Sequence, residues 1–254
     1  MNDPVLEVKD LKVSFGGVTA VDAVSFAVEQ GARVGVIGPN GAGKTTLFNL
    51  ISGWVRPQEG HVRLQGRDVT RSSPDALVRQ GLTRTFQRTQ MCHSLSVQEN
   101  VELALLARSG RSARPWRPVR RRHDIVDGAR RLLTSLGLGG VGPAPCAMLS
   151  YGVLRQAEVA VALATEPAVL LLDEPTSGLS PAETSEMLTF LARLPEETTL
   201  LIIEHDMDIL FGLAQRVLVM EQGRLLIDGT PDEVRSDDRV REAYMGTSAG
   251  SEHL

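Results

Sequence analysis

Lysine is scarce in this 254-residue chain: Lys9, Lys12 and Lys44 stand against 24 arginines. The arginine excess reads as genome composition, but it makes a lysine retained inside a motif informative. Cysteine is scarcer still. Cys92 and Cys146 lack metal-type spacing, which leaves a lone disulfide or, in a reducing compartment, two free thiols. Aromatic residues make up 4 %, too few for the stacking platforms that hold single-stranded nucleic acid. No apolar run approaches the roughly 18–20 residues of a membrane span. The opening Met1-Asn-Asp-Pro-Val-Leu-Glu has no basic region followed by an apolar core, so no signal peptide is expected. A net charge of −4 argues against a general polyanion binder. What is present is a hydrophobic content of 42 %, enough for a sizeable core in one large domain or two small ones.

The chain is organised around Gly38, Pro39, Asn40, Gly41, Ala42, Gly43, Lys44, Thr45 and Thr46, which match the phosphate-binding pattern G-x-x-x-x-G-K-[ST]. An ordinary glycine-rich turn is the alternative, and the context decides against it. Arg33 to Ile37 reads as a buried strand, and Thr45 to Ile51 has Leu47, Leu50 and Ile51 on one helical face. In this arrangement backbone N–H groups curl around a phosphate and the helix N-terminus adds positive potential. Gly41 and Gly43 are expected to let the backbone approach the anion. Lys44 is expected at the β/γ-phosphates and the Thr45 hydroxyl at Mg²⁺.

Along the chain, Val5 to Val8, Leu11 to Phe15, Val18 to Val28 and Gly60 to Leu64 read as strands, with turns at Gly16-Gly17 and Gly66 to Asp68. Ser73-Pro74 opens a short helix to Arg79, and Leu82 to Gln87 is extended. Ser96 to Ala107 is helical with a Ser96/Glu99 capping box. Pro115 and Pro118 interrupt the next stretch, Arg122 to Leu136 resumes a helix, and Gly137 to Pro145 is loop. Helices follow at Gly152 to Ala164, Pro181 to Leu194 and Asp206 to Leu213, with strands at Ala168 to Leu172 and Thr198 to Ile203. Val217 to Met220 and Arg224 to Ile227 form a hairpin, Pro231 starts a last short helix, and the tail after Tyr244 reads as loose. Strands alternating with helices predict an α/β fold with a largely parallel sheet and an all-helical insert.

A second constellation closes the strand Ala168 to Leu172: Asp173 and Glu174. The carboxyl end of such a strand is where nucleotides bind in open α/β sheets. Asp173 suits a Mg²⁺ role and Glu174 a general base that polarises water. Alone, the pair is equally an exposed acidic turn; beside a phosphate loop, the catalytic reading dominates. Leu149 to Gly152 precedes a helix that Ser150 could simply cap.

The series Phe15, phosphate loop, Gln87, Leu-Ser-x-Gly at 149, Leu-Leu-Leu-Asp-Glu at 170, Ser-Gly-Leu-Ser at 177 and His205 resembles an ATP-binding cassette (ABC) nucleotide-binding domain across essentially the whole chain. The resemblance implies a P-loop NTPase (RecA-like) core, residues 1–90 and 152–254, with an N-terminal antiparallel β part and a helical insert over 91–151. It implies ATP and Mg²⁺ as ligands. Phe15 resembles the aromatic that stacks on adenine, its alternative being a core phenylalanine. Gln87 resembles the glutamine that contacts Mg²⁺ or water and senses the membrane partner. His205 resembles the histidine at the γ-phosphate, though a lone histidine is more often structural. Ser150 and Gly152 resemble the signature residues that close over nucleotide held by the other subunit, and Ser177 to Ser180 the loop lining that interface. Tyr151, Val153, Ser180 and Val161 depart from the family pattern, which leaves the strength of coupling across the interface open, while Ser150 and Gly152, the residues that meet the phosphate, are kept.

Phe15-Gly-Gly, Gly81 to Gln87, Leu149 to Gly152, Leu163 to Pro167, Glu204 to Met207, Gly229 to Val234 and Tyr244 to Gly246 resemble the ATPase subunits of branched-chain amino acid importers. Related importers carry urea, short amides or aromatic acids. The resemblance implies a second ATPase subunit, the same chain or a paralogue, two membrane permease subunits, indirectly a solute-binding protein, and a place on the cytoplasmic face of the membrane. No nucleic-acid partner is expected. Arg108 to Arg131 holds nine arginines, which read as a solvated loop, with an anionic-lipid or nucleic-acid patch as alternatives. A soluble repair or translation ABC protein lacks support, since neither long coiled coil nor second cassette is present. A GTPase switch lacks it too, since no Asn-Lys-x-Asp motif occurs.

Overall fold

The computed structural model describes residues 3–85, 91–109 and 123–248, with side chains described to residue 244. A six-stranded sheet has the order β10 (Arg224–Gly229), β9 (Arg216–Glu221), β3 (Arg33–Ile37), β8 (Leu200–Ile203), β7 (Val169–Asp173), β6 (Leu82–Arg84). All neighbours are parallel except β10, which pairs antiparallel to β9. A four-stranded antiparallel sheet has the order β2 (Val18–Val28), β1 (Leu6–Phe15), β4 (Glu59–Leu64), β5 (Arg67–Asp68).

The apolar runs explain the parallel sheet. Every residue of β7 and β8 is buried, and strands covered on both faces tolerate no polar alternation. The pleat then sorts them between two cores. Leu170, Leu172, Leu200 and Ile202 join a core with α3 (Val97–Arg108), α4 (His123–Ser135), α5 (Tyr151–Leu163) and α6 (Pro181–Ala192). Val169, Leu171, Leu201 and Ile203 join the core shared with the antiparallel sheet and α1 (Lys44–Ile51). Each fully buried leucine contributes about 1.5–3 kcal/mol by transfer from water, so both faces of the sheet are anchored.

Helix starts follow the cap signals. Ser96 and Glu99 make the expected reciprocal box at α3. Ser73 caps α2 (Pro74–Gln80), with proline at its first position. In α4, Ile125, Ala129 and Leu133 recur every four residues and are its buried face.

Three readings change. Val5 to Val8 and Leu11 to Phe15 are one strand, β1, whose register shifts between Val8 and Leu11 near Asp10, a residue at positive φ. Arg67–Asp68, read as turn, pairs with Arg63 and Leu64, the bend being at Gln65-Gly66. The tail is helical past Tyr244: beyond α7 (Met207–Leu213) and α8 (Pro231–Ser236), α9 runs Asp238–Ser248. Val240 and Ala243 are buried, and Tyr244 packs on the α3–α6 core. Burial pushes the Tyr244 phenol up to about 12, against the opposing effect of the Gly38 backbone beside it. Too few apolar residues lie in this segment for its period to be read. No helix among the described residues is long and apolar enough to cross a membrane. Cys92 is exposed and Cys146 buried, both as free thiols.

Candidate nucleotide site

Strands β3, β8 and β7 lie side by side, and their carboxyl ends come level. Ile203 pairs with both Val36 and Asp173. The phosphate loop leaves β3, His205 follows β8 and Glu174 follows β7, so three segments far apart in sequence open at one sheet edge. Asn40 to Thr46, Ala20, Glu174 and His205 line a single cleft there.

Within the loop the glycines have different reasons. A Cβ on Gly38 would lie 2.1 Å from the Met220 carbonyl oxygen, and one on Gly43 2.2 Å from that of Ala20. Gly41 meets nothing within 4 Å, and its φ of +78° is what favours glycine. Gly43 is therefore also required by the protein's own packing against β2, and Gly41 alone of these three presents an open face. At α1 no side chain caps the N-terminus, where Gly43 stands at the cap position, so the first N–H groups are left for a ligand.

Lys44 is 5 % exposed and donates from Nζ to the Gly38 carbonyl at 2.5 Å and the Pro39 carbonyl at 3.0 Å. Burial holds its ammonium below the usual lysine range, with the Glu174 charge opposing. Glu174 has φ +48°, a left-handed conformation that costs of order 1–3 kcal/mol in a non-glycine residue and clusters at functional sites. Its N–H donates to the Ile203 carbonyl at 3.0 Å, and its Oε1 lies 2.5 Å from His205 Nε2.

Glu204, absent from the expected site, ties these turns together. It is 3 % exposed and accepts from Thr176 N–H at 3.0 Å, Thr176 Oγ1 at 2.7 Å and His205 N–H at 3.3 Å. Burial pushes its carboxyl above 4.5 despite those bonds. Asp173 is buried, pairs through Oδ2 with Arg84 at 2.6 Å, and keeps a buried Oδ1 with no hydrogen-bond partner. Asp173 is not itself among the cleft-lining residues, but its orphaned carboxylate oxygen, next in sequence to Glu174 that does line the cleft, fits a hard cation. Mg²⁺ typically takes one or two protein oxygens plus phosphates and water rather than an all-protein cage. No group of three His, Cys, Asp or Glu side chains that could hold a metal ion occurs among the described residues.

Phe15 ends β1 at the β1–β2 hairpin and is 51 % exposed, which removes the core-phenylalanine alternative. Gln87 lies outside the described residues. Ser150 and Gly152 are not among the cleft-lining residues. Ser150 caps α5, accepting from Val153 N–H. Gly152 N–H donates to Glu183 Oε1 at 3.0 Å, while Glu183 Oε2 accepts from Ser180 N–H at 3.0 Å and Ser180 Oγ at 2.8 Å. One carboxylate thus joins the turn at 150–152 to the loop at 177–180. Tyr151 stacks beneath Arg155, 5.4 Å from guanidinium carbon to ring centroid, and its ring stands beside Gly178.

The Ser180 hydroxyl, then the Ser180 and Gly152 N–H groups, hold the Glu183 carboxyl below 4.5. A depressed carboxyl contributes stability that is full above pH 4.5 and lost as pH falls through its folded value. Glu183→Ala should lower the Tm at pH 7 by a few degrees, and Glu183→Gln should flatten the acid limb of Tm against pH. An unchanged acid limb in Glu183→Gln would show that the bridge carries no charge.

The chain is similar to known proteins over nearly its whole length. The family described as ABC transporter matches residues 21–177, and the family described as branched-chain amino acid ATP-binding cassette transporter matches residues 224–250. The chain is 36 % identical over 253 residues to the high-affinity branched-chain amino acid transport ATP-binding protein BraF of Pseudomonas aeruginosa, covering 97 % of this chain and 99 % of that protein. It is 36 % identical to LivG of Escherichia coli, with the same coverage. Among solved structures, MJ1267, an ATP-binding cassette of an ABC transporter in its ADP conformation, is similar at 30 % identity and TM-score 0.85, over 96 % of this chain and 100 % of that chain. A nucleotide-free cassette is similar at 29 % identity and TM-score 0.83, over 95 % and 99 %. With the ABC transporter model matched over residues 21–177 and relatives 36 % identical over nearly its whole length, on a fold shared end to end with such cassettes, this chain belongs to the ABC transporter family of ATP-binding proteins.

Proposed function

We propose that this chain is the ATP-hydrolysing subunit of an importer of branched-chain amino acids. The observation that carries the chemistry is the convergence of Lys44, Glu174 and His205 on one cleft at the sheet edge. The solute class is supported by the names of the relatives and by the match over residues 224–250. The chain acts as a single cassette, with residues 91–151 as its helical insert. It sits on the cytoplasmic face of the membrane against two permease subunits, fed by a solute-binding protein.

In this reading Phe15 stacks on adenine. Gly38 to Thr46 cradle the phosphates, with Lys44 leaving its two carbonyl partners for the β/γ-phosphate oxygens. Thr45, the free Oδ1 of Asp173 and Gln87 would hold Mg²⁺, which would neutralise phosphate charge. Glu174 takes the proton of the attacking water, and His205, already within hydrogen-bond distance of that carboxylate, orients it toward the γ-phosphate. Ser150 and Gly152 complete the site on the other subunit of a head-to-tail dimer.

The test is uptake of labelled leucine, isoleucine and valine into proteoliposomes containing the chain, its permeases and its solute-binding protein, driven by internal ATP. ATP-dependent uptake of these is expected; uptake of urea, a short amide or an aromatic acid instead would replace the solute and keep the importer. Lys44→Ala removes a charge-assisted phosphate contact of about 1.5–3 kcal/mol. It should weaken ATP binding roughly 10- to 100-fold and abolish uptake. An unchanged dissociation constant by ATP titration would remove Lys44 from the phosphate site.

A further inference from the structure

The acid Asp173 is held from behind by a residue that the phosphate-loop and acid-strand motifs do not include. Arg84, at the end of β6, donates from Nη2 to Asp173 Oδ2 at 2.6 Å and from Nη1 to Asn49 Oδ1 at 2.7 Å and Ser52 Oγ at 3.0 Å. Its guanidinium lies over the Phe48 ring, 5.7 Å from the centroid. Phe48 and Asn49 belong to α1, the helix that begins at the phosphate loop, and Ser52 is its C-cap. The Arg84 and Asp173 side chains are 6 % and 2 % exposed.

An ion pair this dry is weak evidence for stability, because desolvation offsets most of the attraction. Geometry is what a planar fork supplies: it engages two elements at fixed angles, which a lysine ammonium cannot do. The fork engages Oδ2 and leaves Oδ1 without a partner. We propose that Arg84 is a positioning residue for the metal site: by clamping Asp173 to α1 it sets Oδ1 relative to Thr45, so that both oxygens meet one cation. The proposal rests on the reading of Asp173 as a Mg²⁺ acid. Groups that orient metal ligands typically cost 10- to 100-fold in metal affinity when changed.

The experiment measures Mn²⁺ binding by electron paramagnetic resonance to the chain loaded with a non-hydrolysable ATP analogue. Analogue affinity in EDTA is measured alongside, as are the Mg²⁺ concentration for half-maximal ATPase and kcat. Arg84→Lys keeps the charge and loses the fork. It should weaken Mn²⁺ binding about tenfold or more and shift the Mg²⁺ requirement equally, with metal-free analogue affinity unchanged. Asp173→Asn separates the two ideas. If Asp173→Asn weakens Mn²⁺ binding and Arg84→Lys does not, the positioning role is overturned and the metal acid stands. If Asp173→Asn leaves Mn²⁺ binding unchanged, the metal-acid reading falls and the positioning role with it. Should Arg84→Lys fail to fold, the double variant Asn49→Ala with Ser52→Ala removes both partners of the Nη1 arm and leaves the ion pair. A loss of Mn²⁺ affinity of about tenfold or more supports the clamp, and wild-type affinity overturns it.

Discussion

Glu174→Gln is expected to bind ATP as tightly as the wild type and to turn it over about 10²- to 10⁴-fold more slowly, the usual contribution of a positioned general base. Gln is isosteric with Glu, keeps an oxygen for His205 Nε2, and leaves the bond from the 174 N–H to the Ile203 carbonyl untouched. Only the proton acceptor is lost. Because binding persists and hydrolysis does not, ATP should trap two subunits together, visible as a dimer by size exclusion that ADP does not produce. Turnover at the wild-type rate in the assembled transporter would assign the base elsewhere. His205→Ala is a milder change in this scheme, since Glu174 is also held by its own backbone.

The parts of this site legible in the sequence were those written in one segment. A glycine pattern between an apolar run and a helical period, or two acids after the five apolar residues 168–172, can be read without knowing the fold. The parallel sheet then brings them together at no further sequence cost, because β3, β8 and β7 are neighbours. What escaped reading were side chains acting across long separations. Arg84 and Asp173 are 89 residues apart, Glu183 and Gly152 31, Glu204 and Thr176 28. Nothing local marks an arginine as the partner of a particular acid. Arg84 and Glu204 did sit inside stretches noted for resemblance, but their partners are set by strand order alone. The α9 helix escaped for the opposite reason: its local pattern is polar, and the docking of Val240, Ala243 and Tyr244 on a core built by other segments holds it.

Ser150 is where one residue has two readings at once, and the structure sharpens the test between them. It demonstrably caps α5, so replacing it by a poor cap costs about 0.5–2 kcal/mol whatever else it does. Ser150→Arg would therefore confound lost capping with a blocked interface. Ser150→Asp does not. Aspartate caps as well as serine and suits the positive end of a helix, so the Tm should hold or rise. If residue 150 faces nucleotide on a partner subunit, the same carboxylate meets the γ-phosphate, and like charges in a closed site repel. The isolated subunit should then bind ATP normally, ATP-dependent dimerisation should fail, and turnover should drop by about 10²-fold or more. Pairing with Lys44→Ala locates the defect. In a mixed dimer the two substitutions fall on one composite site and leave the other intact, so ATP-driven dimerisation should partly return. Two copies of either variant should not recover it. If the natural partner is a paralogue, the substitutions are placed one on each chain. Normal hydrolysis by Ser150→Asp in the full transporter would leave the 149–152 turn as a helix cap and nothing more.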